Sequence, residues 1–407
     1  MSRPRFEVAD VVRQHGEAFL ERYGHRLSGA QHRALRAIEL CRTAALGGHL
    51  TQCDRCGHPE PAYNSCRHRS CPKCHGATQA AWLAKRQREV LPTPYVHVIS
   101  TLPHDLNPLV LQNPRVLYPL LFHSVSQSLL DIAGNPKHLG AEVGGLAVLH
   151  TWGQQLQLHP HLHCLLPAGG LAPDGSRWVP CRPDFFLPVR VLSRRFRRLF
   201  LEGLERLYDQ GQLTLTGRCR ELAEPTPWKR LLATLRDKDW VVYAKEPCDS
   251  EHVLKYLSRY VYRVAISNHR LVALEDGQVT FRYKDYKRGH RLRTRTLEAV
   301  EFLRRLMLHV LPKGLHKVRY FGLMANRHRS QRLAHCRTLL DQLVDAIGAS
   351  ERVEADPAWA DEPARGRVQP GDACPVCRQG RMQLVKTYYR HRAVWDLSLA
   401  VPDFDTS

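Results

Sequence analysis

An alternating run of histidines, His159-Pro160-His161-Leu162-His163, is the part of the sequence whose residue types most directly indicate chemistry. Because side chains alternate along a β-strand, His161 and His163 point to one face while Leu162 points into a core. Two imidazoles on one strand make half of a metal site, and His159 extends the row along the same face. In a cationic chain this strand favours a metal-dependent nuclease. The alternative is a strand with polar residues on its solvent face.

A second segment carries two tyrosines, Tyr256 and Tyr260, four residues apart. On a helix this spacing places both phenols on one face, one turn apart. A phenol that attacks a phosphodiester forms a phosphotyrosine, which stores the bond until a 3′-hydroxyl reclaims it without ATP. Since the pKa of a free phenol is about 10, most of the assistance must come from a cation that neutralises the phosphate. The alternative interpretation is an aromatic packing stripe.

Basic side chains accompany these tyrosines. Lys255, Arg259 and Arg263 are predicted to bind flanking phosphates, although a solvated helix face would look the same. The whole chain carries a formal net charge of +21, from 60 Lys and Arg against 39 Asp and Glu. Such an excess raises the affinity for polyanions through counterion release, and nucleic acid is the usual one.

Cysteines two residues apart indicate zinc knuckles, which are tight turns that each aim two sulfurs at one ion. The zinc ligands predicted from this spacing are Cys53, Cys56, Cys71 and Cys74. Cys66 and His68 are surplus donors, so an alternative ligand set or a second metal stays open. Without a preceding signal peptide, such pairs favour metal-bound thiolates in a reducing cytosol over disulfides.

One further knuckle, Cys374-x-x-Cys377, lies near the C-terminus. A lone knuckle needs two more donors, and Cys336, His335 and His391 are candidates. Whether this half-site binds zinc is left open by the sequence.

The pattern of apolar residues predicts an α+β protein in four parts. The 43% hydrophobic fraction fits a globular chain of 407 residues, and no apolar stretch is long enough to span a bilayer. The parts are N-terminal helices (1–46), a zinc-binding module (47–76), a nuclease domain (77–347), and a linker with a C-terminal tail (348–407). The predicted strands lie at 95–102, 144–151, 156–170, 178–179, 239–244, 264–274, 279–283, 290–295 and 315–321. The predicted helices lie at 6–44 (two helices), 79–91, 106–111, 116–132, 191–208, 250–262, 297–308 and 332–347.

Several ordered blocks resemble one family. They are SCRHRSCPKC (65–74), HTWGQ (150–154), the HPHLH run, YLSRYVYRVAISN (256–268), FRYKDY (281–286) and KGLHKVRYFG (313–322). Together they span roughly residues 8 to 329, and on them the chain resembles the transposases of the insertion sequence 91 family. These are bacterial rolling-circle transposases with a His–hydrophobic–His (HUH) nuclease domain.

The resemblance implies a ferredoxin-like antiparallel sheet with helices, preceded by a helical and zinc-ribbon module. It implies Mg²⁺ or Mn²⁺ at His161 and His163, with structural Zn²⁺ elsewhere. The third ligand is expected to be His159, with Gln154, the tyrosine helix or the region of Asp285 as alternatives.

The resemblance also implies a nucleophilic Tyr256 and, in two-tyrosine members, Tyr260. The expected activity is nicking and strand transfer on single-stranded or hairpin transposon ends and target DNA, in the bacterial cytoplasm at the nucleoid. A relaxase or replication initiator has the same chemistry. A non-catalytic zinc-ribbon DNA-binding protein is the alternative from another class.

Overall fold

The computed structural model describes residues 4–74, 89–182, 185–248, 261, 264–285, 289, 291–347 and 368–389. Its helices and strands confirm the α+β prediction, and the strands of every described sheet pair in antiparallel fashion. The chain divides into two compact units. The first unit contains Met1–Thr78, Ile266–Met307 and Asp356–Ser407, and the second contains Gln79–Ala265 and Leu308–Ala355.

The elements are numbered in chain order. The helices are α1 (Val8–Tyr23), α2 (Gly29–Leu40), α3 (Asn107–Gln112), α4 (Pro114–Gly134), α5 (Val189–Asp209), α6 (Pro225–Asp237), α7 (Ala299–Met307) and α8 (Arg329–Ile347). The strands are β1 (Gly48–Cys53), β2 (Pro59–Tyr63), β3 (Tyr95–Thr101), β4 (Gly144–Trp152), β5 (Leu158–Pro167), β6 (Gly169–Leu171), β7 (Trp178–Pro180), β8 (Val242–Cys248), β9 (Leu271–Glu275), β10 (Gln278–Asp285), β11 (Arg291–Glu298), β12 (Val318–Gly322) and β13 (Met382–Tyr388).

In its described residues, the first unit combines three α-helices with two small sheets. Helix α1 packs against α2 and α7 through one apolar face that includes the fully buried Val8 and Phe19. Ser28 caps α2, where its hydroxyl accepts from the backbone N–H of Gln31 and the Gln31 side chain returns to the backbone N–H of Ser28. The two sheets have the strand orders β13-β1-β2 and β11-β10-β9.

The second unit is organised around a five-stranded sheet of order β12-β4-β5-β3-β8. Even-numbered residues of the central strand β5, among them Leu162, Cys164 and Leu166, are fully buried on one face. Helices α3 to α6 cover this face, where Phe196 and Phe200 belong to the same apolar core. This helical layer covers one whole face of the sheet, so the side chains of the site lie on the other face.

The opposite face of the sheet carries the odd-numbered residues of β5. Leu165 lies there in a second apolar cluster with Tyr95 of β3 and Val148 of β4, and α8 adds Leu340 to it. The histidines of β5 belong to this face because they alternate with Leu162. We call it the histidine face.

Most of the predicted elements are confirmed, including the histidine strand as β5 and the hairpin that returns through Trp178 as β6–β7. Several boundaries were wrong by a few residues, and the largest shift is in the meander, which was expected from residue 264 but starts at Leu271, after a 3₁₀ turn over Asn268–Arg270. The helices predicted at 79–91 and 250–262, and the linker predicted from residue 348, fall mostly outside the described residues.

The meander also groups differently from the expected boundaries. The sequence placed it within 77–347, whereas in the structure Ile266–Met307 belongs to the first unit. Helix α1 packs on α7, and two hydrogen bonds also join this segment to the N-terminal helices: Val8 N donates to Asn268 Oδ1 at 3.0 Å, and Gln31 Nε2 donates to the Met307 carbonyl at 2.9 Å. Within the described part of the chain, no helix is both long and apolar enough to cross a membrane.

Candidate metal centres

Three histidines meet on the histidine face of the second unit. They are His150 of β4 and His161 and His163 of β5, and each offers a ring nitrogen within 4.8 Å of the other two. Strand register explains the convergence: His150 is the cross-strand partner of His161, and His163 lies two residues further along the same side of β5. His150 and His163 are buried, while His161 is half-buried. The group therefore lies on the face of two inner strands, β4 and β5, and is accessible to solvent through His161.

Hydrogen bonds orient the two rings of β5. Nδ1 of His161 lies 2.7 Å from the carbonyl oxygen of His159, which can only accept, so this nitrogen carries the proton and Nε2 keeps a lone pair. Nδ1 of His163 lies 2.8 Å from Nε2 of His97. When Nδ1 of His163 donates to His97, its own Nε2 also presents a lone pair, which is the usual arrangement behind a metal-bound histidine.

The spacing of these lone pairs fits one metal ion. The two Nε2 atoms of His161 and His163 lie 3.1 Å apart. Two imidazoles bound side by side, each with a metal–nitrogen bond of about 2.1 Å, would place their nitrogens about 3 Å apart. Two lone pairs facing each other at this distance repel unless a cation lies between them, so the donor set fits a divalent ion.

Burial keeps the supporting histidine neutral. His97 is only 3% exposed. Loss of solvent, together with the charge of Lys245, lowers the pKa of His97 to about 3. A neutral His97 retains a lone pair that can accept from His163. His97 is a residue that the sequence analysis did not single out, although its odd position in the predicted strand 95–102 was a usable signal.

His159, the expected third ligand, does not belong to this group of nitrogens. Its ring contacts the rings of His104 and His161, whose centroids lie 5.2 Å and 5.1 Å away. Burial and then the charge of His104 lower the pKa of His159. In its place the structure offers His150, because β4 pairs with β5. Spacing within the sequence did not reveal that pairing.

The other proposed donors have different positions. Gln154 lies in the turn between β4 and β5, and Asp285 ends β10 in the first unit, with its carboxylate 3.7 Å from Nε of Arg293. Tyr256 and Tyr260 lie outside the described residues, as do Lys255, Arg259 and Arg263.

The residue that follows Tyr260 is described. Val261 is 4% exposed and packs in the apolar cluster of the histidine face, together with Val148 and Leu165. Val261 therefore lies on the same side of the sheet as the three histidines.

The cysteines of the first unit form two groups of four sulfurs. One consists of Cys41, Cys66, Cys71 and Cys74, and the other of Cys53, Cys56, Cys374 and Cys377. The two predicted knuckles thus belong to different groups. Four cysteine sulfurs brought together in this way are the donor set that structural Zn²⁺ sites use.

The first group gains two donors beyond its knuckle. Sγ of Cys74 lies 3.3 Å from Sγ of Cys41 and 3.4 Å from Sγ of Cys66. Cys66 was expected as an alternative, but Cys41 was missed because it immediately follows α2 and has no CxxC partner. His68 is not in the group, since its Nδ1 accepts from the backbone N–H of Ser70 at 3.2 Å.

The second group supplies the donors that the C-terminal knuckle lacked. Cys374 and Cys377 meet Cys53 and Cys56, not Cys336 or His335. Cys336 is instead buried in the apolar cluster of the histidine face, in the second unit. Likewise, the imidazole of His335 lies 2.8 Å from the carbonyl of Gly175, and His391 lies outside the described residues.

Comparisons with known proteins identify two family models in the chain. A family model described as "Transposase zinc-binding domain" matches residues 11–102, and a model described as "Putative transposase" matches residues 144–332. The chain is 50% identical to the "Putative transposase y4qJ" of Sinorhizobium fredii over 391 residues, which is 95% of this chain and 97% of that protein. It is 30% identical to the "Transposase for insertion sequence element IS801" of Pseudomonas savastanoi pv. phaseolicola over 291 residues, 70% of this chain and 68% of that protein. No solved structure matches the chain.

Proposed function

The chain belongs to the transposases of the insertion sequence 91 family, and we propose that it moves DNA by nicking single strands at transposon ends through a 5′-phosphotyrosine. DNA is the partner of any transposase, and the net charge of +21 suits it. The observation that carries the proposed chemistry is the convergence of His150, His161 and His163 at one point of the sheet.

The three histidines supply a neutral ligand set. An imidazole must lose its proton at the coordinating nitrogen, and the bonds of His161 to the His159 carbonyl and of His163 to His97 favour that tautomer. We propose Mg²⁺ or Mn²⁺ as the working ion, with Mn²⁺ favoured by nitrogen donors. Such an ion supplies positive charge that stabilises the phosphate as negative charge develops on it.

The three imidazoles carry no charge, so they do not neutralise the bound cation. The negative charge of a phosphate can do so. A phosphodiester is therefore preferred over a neutral ligand. His161 is half-buried while His150 and His163 are buried, so substrate is expected to approach from the side of His161.

Tyr256 is the proposed nucleophile. Its phenol oxygen attacks the scissile phosphorus, the bond from phosphorus to the 3′-oxygen breaks, and the 5′-phosphate stays on the tyrosine. The phenol proton is released and the departing 3′-oxygen takes up a proton, so the step is balanced. In strand transfer a 3′-hydroxyl reverses this step, and Tyr260 serves the second strand or the resolution step.

Packing supports this assignment from the described residues. Val261 directly follows Tyr260 and lies on the histidine face. Lys255, Arg259 and Arg263 are proposed to bind the flanking phosphates. Single-stranded or hairpin ends are the proposed substrates, because an unpaired backbone can bend onto the face of a sheet.

The test is covalent trapping. Labelled single-stranded DNA from the ends of the element that encodes this chain is incubated with the protein and Mn²⁺, and denaturing electrophoresis detects a protein–DNA adduct. The wild type is expected to form the adduct and Tyr256→Phe to lose it, while both bind the DNA equally.

Tyr243 offers a matched control. This exposed phenol lies on β8 and pairs with Ile99, which in turn pairs with His163, so it lies on the histidine face. Tyr243→Phe is expected to retain the adduct. An adduct that persists in Tyr256→Phe and disappears in Tyr243→Phe would refute the assigned nucleophile, and a wild type that forms none would refute the nicking chemistry.

A further inference from the structure

Two cysteine pairs from opposite ends of the sequence face each other in the first unit. Sγ of Cys53 lies 3.6 Å from Sγ of Cys377, although the two residues are 324 positions apart in sequence. Sγ of Cys56 lies 3.7 Å from Sγ of Cys374. These distances are too long for a disulfide, whose sulfurs lie about 2.0 Å apart. They match the edges of a tetrahedron around zinc, where bonds of about 2.3 Å place the sulfurs about 3.8 Å apart.

In both pairs, backbone N–H groups donate to cysteine sulfurs. Sγ of Cys53 accepts from two backbone N–H groups of its own turn, those of Arg55 and Cys56, both at 3.4 Å. In the C-terminal turn, Sγ of Cys374 accepts from Val376 N and Sγ of Cys377 accepts from Gly380 N, again at 3.4 Å. Backbone donors of this kind stabilise a thiolate, which is the form that binds metal.

Backbone pairing holds the two turns together. Strand β13 pairs with β1, and Cys53 is the register partner of Met382. Just beyond this pair, Asp54 N donates to the Arg381 carbonyl at 3.1 Å, and Arg381 N donates to Asp54 Oδ1 at 2.9 Å. The sulfurs are thus positioned by a ladder that does not depend on the metal ligands themselves.

Gly380 marks how closely the turns approach. A Cβ atom at this position would lie 2.4 Å from Sγ of Cys53 and 2.7 Å from Oδ1 of Asp54. A larger residue would therefore force the two knuckles apart. Glycine at position 380 therefore leaves the room that the turn of Cys53 and Cys56 occupies.

We propose that Cys53, Cys56, Cys374 and Cys377 bind a second structural zinc ion, separate from the one at Cys41, Cys66, Cys71 and Cys74. This ion fastens residues 368–389 to the N-terminal module, where β13 forms the edge strand beside β1. The zinc-binding domain model ends at residue 102, so it does not include the C-terminal half of this site. The inference is independent of the proposed nicking activity.

The test is metal counting on the full-length chain. Zinc per chain is measured by mass spectrometry of the metal in the wild type, in Cys53→Ser/Cys56→Ser, in Cys374→Ser/Cys377→Ser, and in the variant that combines all four changes. Either pair is expected to remove one equivalent, and the combination is expected to remove the same single equivalent. Because every variant retains the histidine site, any zinc bound there cancels in the differences.

Two controls are matched to these variants. Cys71→Ser/Cys74→Ser is expected to remove a different equivalent, so that its loss adds to the first. Cys181→Ser changes a half-buried cysteine outside both groups and is expected to leave the zinc content unchanged. Unchanged zinc in Cys374→Ser/Cys377→Ser, or a loss of two equivalents from the combined variant where each pair removes one, would overturn the proposal.

A conservative variant covers the case in which serine pairs unfold the module and release all of its zinc. Cys56 is the exposed member of the group, so a histidine can replace it with little steric cost. Three cysteines and one histidine also make a structural zinc site. Cys56→His is therefore expected to keep the second zinc. Loss of that equivalent in Cys56→His, with the first retained, would contradict the assigned ligand set.

Discussion

The hydrogen bond between His97 and His163 should control the metal affinity of the histidine group. His97→Phe keeps a buried ring but removes the acceptor that lies 2.8 Å from Nδ1 of His163. An N–H group left buried without a partner costs about 1–3 kcal/mol. Loss of such a supporting contact weakens metal binding by about 10–100-fold, or roughly 1.4–2.8 kcal/mol. The cost of the unsatisfied N–H group and the usual loss of metal affinity therefore have similar magnitudes.

The assay is Mn²⁺ binding, followed by the electron paramagnetic resonance signal of free Mn²⁺, to which bound zinc contributes nothing. His97→Phe is expected to raise the Kd by one to two orders of magnitude. Adduct formation should then need more Mn²⁺ for half-saturation but should reach a near-normal rate at saturating Mn²⁺. His97→Gln, which restores an acceptor, should recover part of the affinity.

The control is His309→Phe. His309 is as well buried, but its ring nitrogens lie near Thr151 Oγ1 and the Leu156 carbonyl, both at 3.2 Å. This variant is expected to lose stability without a comparable loss of Mn²⁺ affinity. A Kd for His97→Phe within twofold of the wild type, or an equal loss in both variants, would refute the reasoning.

Three further outcomes follow from the same structure. His150→Ala should abolish tight Mn²⁺ binding, whereas His159→Ala should retain it to within about tenfold; the reverse order would restore His159 as the ligand. Leu162→Ala, at a fully buried position under the helical layer, should lower the free energy of unfolding in urea by about 2–5 kcal/mol, and a loss below about 1 kcal/mol would contradict the packing described. The hydrogen bond from Arg304 lowers the pKa of Glu301 from 4.5 to about 2, so its contribution to stability is complete above pH 4.5 and is lost as the pH falls toward 2. Between pH 5 and pH 3, the free energy of unfolding in urea should therefore depend less on pH in Glu301→Gln than in the wild type. An identical pH dependence in both proteins would show that this carboxylate does not contribute to it.

The strands that carry the chemistry were predictable because their patterns are local. Alternation of Leu162 with His161 and His163 identified both the strand and its outward face, and the structure agrees. The identity of the third histidine was not predictable in this way. His150 becomes a neighbour only through the pairing of β4 with β5, which is a contact between strands and not a spacing within one.

The cysteines illustrate the same limit over a longer distance. CxxC spacing located the knuckles, because each turn is specified by four residues. It could not reveal which knuckles meet, since Cys374 and Cys377 reach Cys53 and Cys56 only through the addition of β13 to β1. Cys41 has no local signature, and only the fold brings it to Cys74.

In the proposed mechanism, the ion bound by the three histidines is the one that contacts the scissile phosphate. The direct measurement is pulsed electron paramagnetic resonance of one Mn²⁺ bound to the Tyr256→Phe variant with an uncleaved single-stranded transposon end. The same Mn²⁺ is expected to couple to the nitrogens of three imidazoles and to phosphorus of the DNA. Coupling to nitrogen without phosphorus, or to phosphorus without imidazole nitrogen, would contradict it.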